Sequence, residues 1–179
     1  MRIILEDPYE RDIFHGGERE AQRRFGVEAE AREMKGSIGD QLSAGNAGFI
    51  ASQPFCFVSV REDSGAIHTQ ILACVTTAQG TYPLVAFGDA RQFFFLLSQA
   101  EGERLLERAE RVCCKVGMIF VDFARRARLR INGRLQQAGE QALPGFQCPP
   151  LHHLMQVHVE QVYANCQARI VRLQQNRPG

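Results

Sequence analysis

The stretch Lys115 to Leu135, KVGMIFVDFARRARLRINGRL, constrains what this chain can fold into more than any other. Its first half, Val116–Phe123, is apolar up to Asp122, the pattern of a strand covered on both faces. Its second half, Leu129–Leu135, alternates strictly. As a strand it points Leu129, Ile131, Gly133 and Leu135 one way, and Arg128, Arg130, Asn132 and Arg134 the other. The four residues Ala124 to Ala127 link the halves as the loop of a hairpin. Three guanidinium groups and an amide on one face suit a phosphorylated cofactor, because the planar guanidinium fork pairs with phosphate oxygens. A solvated face explains the same pattern, since antiparallel sheets commonly leave one side to water. The hairpin by itself leaves both readings open.

At 179 residues the chain is expected to form one compact domain with a terminal appendage. The 21 basic and 20 acidic residues nearly cancel, so net charge argues for neither a nucleic-acid nor an anionic-membrane partner. The start, MRIILEDPYERDIF, lacks a signal-peptide core, and no stretch approaches the roughly 20 apolar residues that span a bilayer. A soluble, cytoplasmic protein is the expectation. The six cysteines form no C-x-x-C pair, which speaks against zinc or a disulfide framework and for mostly buried thiols. His152, His153 and His158 lack metal-ligand spacing, and no metal is expected.

Taken in order, residues 1–48 read as an N-terminal helical arm and loop, and residues 49–179 as the main domain. The arm runs to Met34 and is split by Gly26, whose cost inside a helix favours two short helices over one. Lys35–Gly48, KGSIGDQLSAGNAG, has the composition of a loop. Phe49–Val60 and Ala66–Val75 are expected to pair as strands about the turn Arg61–Gly65. On the second of these, Thr69 or Gln70 has to face inward or towards a ligand. Gln79–Pro83 reads as a further turn, and the run Phe93–Leu97, FFFLL, as core. Ser98–Cys114 has helical periodicity, with Ser98 and Glu101 as a capping box. Met155–Val162 alternates as a half-buried strand, and Tyr163–Arg172 reads as a short helix or tail. About seven strands against one strong helix point to an antiparallel, mainly β barrel or sandwich with peripheral helices.

At these residues the sequence resembles the pyridoxamine 5'-phosphate oxidase-related FMN-binding split barrels, in particular their predicted flavin-nucleotide-binding branch. FHGGEREAQ resembles that branch's F-H-x-G-E-x-x-x-Q opening. SQPFCFVSV with Asp63 and Gly65 resembles its first hairpin, Val116–Arg134 its V-G-L-L-F-x-D-F-x-x-R-x-R-x-R-V-N-G-R stretch, and Tyr163, Asn165 and Cys166 its closing Y-x-N-C. The chain departs from the pattern at TQILACVTTAQGTYPLVAF, where relatives carry a glycine-rich segment, and at SQAEGER and CQAR.

The resemblance implies a six- to seven-stranded antiparallel split barrel, a homodimer, and an FMN cleft at the subunit interface. By position it implies Thr69 and Gln70, Ser98 and Gln99, Arg104, Arg130 and Asn132 as cofactor-binding residues, with catalysis carried by the flavin. The function it implies is a flavin-dependent oxidoreductase of unknown substrate. Two alternatives stand beside it: a split barrel that has lost flavin and acts as an interaction module, and a haem-binding relative with His15, His68 or His158 as axial ligand.

Overall fold

The computed structural model describes residues 13–62, 64–108, 114–139, 141–164 and 170–173. Helices α1 (Gly16–Phe25) and α2 (Glu28–Lys35) form the N-terminal hairpin. His15 caps α1: its Nδ1 accepts the Gly17 and Glu18 amides, while the Glu18 carboxylate accepts the His15 N–H at 2.9 Å. Gly26 ends the helix at φ +65°, a left-handed conformation that glycine adopts without a Cβ penalty. Two helices therefore replace one, as its position in the sequence predicts.

The segment read as loop and then strand differs from expectation. Ala44–Ala51 is a helix, α3, and strand β1 begins only at Phe55. Ser43 Oγ accepts the Asn46 amide at 3.1 Å, and Ile50 is fully buried. A cap and one anchored apolar side chain outweigh the helix cost of two glycines, about 1 kcal/mol each.

Strands β1 (Phe55–Arg61), β2 (Ile67–Ala73), β5 (Ala86–Asp89), β6 (Gln92–Ser98), β7 (Lys115–Asp122), β8 (Ala127–Gln137) and β9 (His152–Ala164) form one sheet. Its order is β2-β1-β7-β8-β9-β6-β5, and every pair is antiparallel. A small hairpin, β3 (Val75–Thr77) and β4 (Gly80–Tyr82), replaces part of the expected turn at Gln79–Pro83. Helix α4 (Gln99–Arg108) follows β6 with its predicted capping box, and the rest of the expected helix, residues 109–113, lies outside the described residues. So do Asn165 and Cys166.

One face of the sheet is the core. Val58, Met118 and Ile131 lie in register on β1, β7 and β8, and Phe93, Phe95, Met155 and Val157 continue the layer across β6 and β9. Leu105 of α4 and Ile50 of α3 are fully buried in the same cluster. Cys56 is also buried there, and burial pushes its thiol up to about 12, which leaves it protonated and unreactive at neutral pH. Cys74 and Cys148 are exposed, contrary to the expectation of mostly buried thiols: Cys74 lies between β2 and β3, and Cys148 in the loop that precedes β9.

A bulge marks the β8–β9 pair: Asn132 faces Gln161 while Gly133 faces Val159, so Glu160 is the extra residue. Only glycine fits at 133, since a Cβ there would stand 2.0 Å from the His158 carbonyl oxygen.

The chain divides into two compact units, residues 1–39 and 40–179. Among the described residues no helix is long and apolar enough to cross a membrane.

Candidate functional site

The face of the sheet opposite the core carries the chemistry. Alternation on β1 buries Cys56, Val58 and Val60 and leaves Phe55, Phe57 and Ser59 half-covered on the other side. Pairing then lines up rows across the sheet. One row runs Ile71, Phe57, Ile119, Arg130, Tyr163 from β2 to β9, and the next runs Thr69, Ser59, Gly117, Asn132, Gln161. Arg128 sits one pleat further along β8, beside Val121. The face thus carries Phe57, Ile71 and Ile119 in one row and the polar Ser59 and Thr69 in the next, and is cationic on β8. Val116–Asp122 is accordingly sealed on one side only: Val116, Met118 and Phe120 are buried, while Gly117, Ile119 and Val121 are half-buried.

The three arginines of the alternating strand are not equivalent. Arg134 Nε donates to Glu160 Oε1 at 2.7 Å, and Lys115 Nζ donates to Glu160 Oε2 at 2.7 Å. The bulge places this carboxylate between two cations that face each other across β7 and β8. Burial alone would raise the Glu160 carboxyl, but the hydrogen bonds and charges of Lys115 and Arg134 outweigh it and hold the group below its ordinary range. Asn132 is engaged too, its Nδ2 donating to Gln161 Oε1 at 2.8 Å. By contrast, the Nε–H groups of Arg128 and Arg130 are buried and have no hydrogen-bond partner among the described residues. Uncompensated donor capacity is therefore concentrated at the end of the strand nearest Phe55 and Phe57.

Of the residues implied by resemblance, Thr69, Arg130 and Asn132 share this face. Thr69 is exposed and its Oγ1 lies 2.8 Å from Ser59 Oγ. It stands three strands from Asn132, roughly 14 Å at the usual strand spacing. Gln70 points to the opposite side of β2 and is half-buried, opposite Val58. Ser98, Gln99 and Arg104 form a separate group where β6 enters α4. There Ser98 Oγ donates to Glu101 Oε2 at 2.5 Å, Gln99 Nε2 to Glu103 Oε1 at 3.0 Å, and Arg104 Nε to the Ala100 carbonyl at 3.0 Å. Two carboxylates and a carbonyl already use these donors. Arg128 was visible in the alternating pattern, but nothing in the sequence separates it from the neutralised Arg134.

No protein-family model matches the sequence, and no curated protein does. Solved structures do. A candidate pyridoxamine 5'-phosphate oxidase from Lactobacillus delbrueckii superposes with a TM-score of 0.53 at 12% identity, over 70% of this chain and 95% of that one. The fold is the pyridoxamine 5'-phosphate oxidase-like split barrel. HupZ of Group A Streptococcus matches at a TM-score of 0.48, with 17% identity over 69% of this chain and 93% of that one. An FAD-binding protein from Mycobacterium smegmatis matches at 0.44, with 14% identity over 70% and 96%. In a split barrel the sheet stays open, and the unclosed order from β2 to β5 agrees with that.

Proposed function

We propose that this split barrel binds FMN on the outer face of its sheet, in a homodimer whose second copy covers that face, and serves as a flavin-dependent oxidoreductase. The observation that carries the reading is the pair of buried, unpartnered Nε–H groups on Arg128 and Arg130. A buried donor without a partner costs about 1–3 kcal/mol, more when charged. A phosphate approaching the pair would satisfy both donors at once. Phe57 and Ile119, in the same rows, offer the flat apolar surface against which a ring system packs. The fit is therefore good at both ends of an FMN-like molecule. When bound, the flavin supplies hydride or electron transfer; Arg128 and Arg130 would hold its phosphate, with Asn132 and Thr69 further along the face.

The dimer rests on the same surface. Ile71 of β2, 62% exposed, lies beside the half-buried Phe57 and Ile119, and Ile67, 66% exposed, stands beyond Thr69 on the same face. Exposed apolar side chains grouped on one sheet face mark an interaction site. The α4 end is the weaker place for phosphate, since Glu101 and Glu103 would repel it.

The test is an FMN titration followed by flavin fluorescence. Arg128→Ala and Arg130→Ala should each weaken binding at least tenfold, the loss of one charged hydrogen bond. Arg104→Ala should leave affinity unchanged; a loss confined to Arg104→Ala would move the phosphate to the start of α4. A colourless protein that takes up no FMN would sink the reading, and a Soret band in the purified protein would replace flavin with haem.

A further inference from the structure

A cleft of about 590 Å³ opens beside the end of β7, bounded by Ser52–Phe55, Val121–Ala124, Arg172 and Leu173. Its size lies in the range of small-molecule sites. Its walls combine three features. The rings of Phe55 and Phe123 stack with centroids 6.5 Å apart and planes 29° apart, and both line the cleft. Gln53, only 5% exposed, presents an amide whose orientation is set by its neighbours. Its Nε2 donates to the Phe49 carbonyl at 3.0 Å and to Ser52 Oγ at 2.9 Å. A carbonyl can only accept, so the NH₂ group must point there and the amide oxygen must point away. That oxygen has no partner among the described residues, and the access Gln53 keeps is to the cleft it lines. Third, the Arg172 guanidinium has no partner among the described residues, while Asp122 on the facing wall is engaged by Arg125, whose backbone N–H donates to Oδ1 at 2.8 Å.

We infer that this cleft is a second binding site, for a flat aromatic amine that carries an acid group. The ring would lie against Phe55 and Phe123, the N–H would donate to Gln53 Oε1, and the carboxylate or phosphate would pair with Arg172. The segment that supplies Arg172 is held in place by the β7–β8 turn: Arg126 Nε donates to the Ile170 carbonyl at 3.0 Å, and the Leu173 amide donates to the Phe123 carbonyl at 3.3 Å. Ile170 is buried, which anchors the wall. The cleft thus offers an amide acceptor, two stacked rings and a guanidinium, and a donor-bearing aromatic anion engages all three. The inference does not depend on flavin binding: Phe55 and Val121 line the cleft and also lie on the outer face, whereas Gln53, Phe123 and Arg172 lie outside the rows proposed for FMN.

The probe is 2-aminobenzoate, titrated into the full-length chain and followed by its fluorescence. Saturable binding is expected, weakened about tenfold or more by Arg172→Ala, an exposed position where folding is not at risk. Gln53→Met, which keeps the volume and removes the acceptor, should weaken it several-fold; circular dichroism of this variant shows whether α3 is intact. Methyl 2-aminobenzoate, which lacks the charge, should bind the wild type as weakly as the acid binds Arg172→Ala. Arg130→Ala should leave the titration unchanged, which separates this site from the proposed FMN site. Absence of saturable binding up to millimolar probe, or wild-type affinity in both Arg172→Ala and Gln53→Met, would overturn the inference. So would binding abolished by Arg130→Ala alone.

Discussion

Arg130 and Arg134 lie on the same face of the same strand, yet one carries a buried donor without a partner and the other is bound to a carboxylate. The alternation of Leu129–Leu135 made the shared face legible, because a strand has no other way to place those side chains. It did not reveal which guanidinium is neutralised. That depends on Glu160, which reaches the face only because the β8–β9 bulge inserts it between Lys115 and Arg134. The bulge in turn needs the missing Cβ of Gly133, a contact between strands far apart in sequence. The pH dependence follows from the same residues. Glu160 titrates below its ordinary 4.5 in the folded chain, so its contribution is full above that value and is lost as pH falls through the folded pKa. Lys115 and Arg134 are 51% and 62% exposed, so solvent screens each pair to about 1 kcal/mol or less. Glu160→Gln should therefore cost about 1 kcal/mol in urea unfolding at pH 7, with a gap that shrinks progressively as pH falls below 4.5 and also shrinks in high salt. A gap that stays constant with pH would show that the carboxylate charge is irrelevant.

Among the elements, those with strong periodicity were legible and those set by a single anchor were not. The β7–β8 hairpin, the aromatic β6 and the start of α4 match their patterns, since each repeats its apolar period several times. Helix α3 has no such repeat. AGNAGFIA holds two glycines and an asparagine, and its helical state comes from Ser43 at the N-cap and from Ile50 inserted into the core. A local sequence window cannot report the burial of Ile50, because the partners that cover it come from the sheet. This makes α3 a sensitive element. Ser43→Ala removes the N-terminal side-chain cap and should destabilise the chain by about 1 kcal/mol in thermal or urea unfolding. Ser43→Asp, which caps as well, should restore most of that loss. If Ser43→Ala unfolds at the wild-type midpoint, the burial of Ile50 and the Gln53 amide on the Phe49 carbonyl hold the helix without the N-cap.

For the whole molecule, the split barrel was legible because its motifs are spread along the chain, while the cleft beside β7 was not. The cleft's lining joins residues 52–55, 121–124 and 172–173, three segments that no sequence pattern connects. Stability is distributed just as unevenly. Neither α1 nor α2 buries a single residue, and every buried core side chain among the described residues lies at Leu42 or beyond. The unit of residues 40–179 thus carries its own hydrophobic core and all seven strands of the main sheet. A chain of residues 40–179 should fold cooperatively, with a melting temperature within roughly 5 °C of the full chain, since little apolar burial is lost. Light scattering on the same sample gives the result a second meaning. If the apolar patch at Ile67 and Ile71 is the dimer contact, the shortened chain should remain a dimer, and Ile71→Glu should make it a monomer. A shortened chain that melts far below the full one while remaining dimeric would show that residues 1–39 contribute stability that their exposure does not suggest. A shortened chain that becomes monomeric would move the subunit contact from the sheet face to the N-terminal helices.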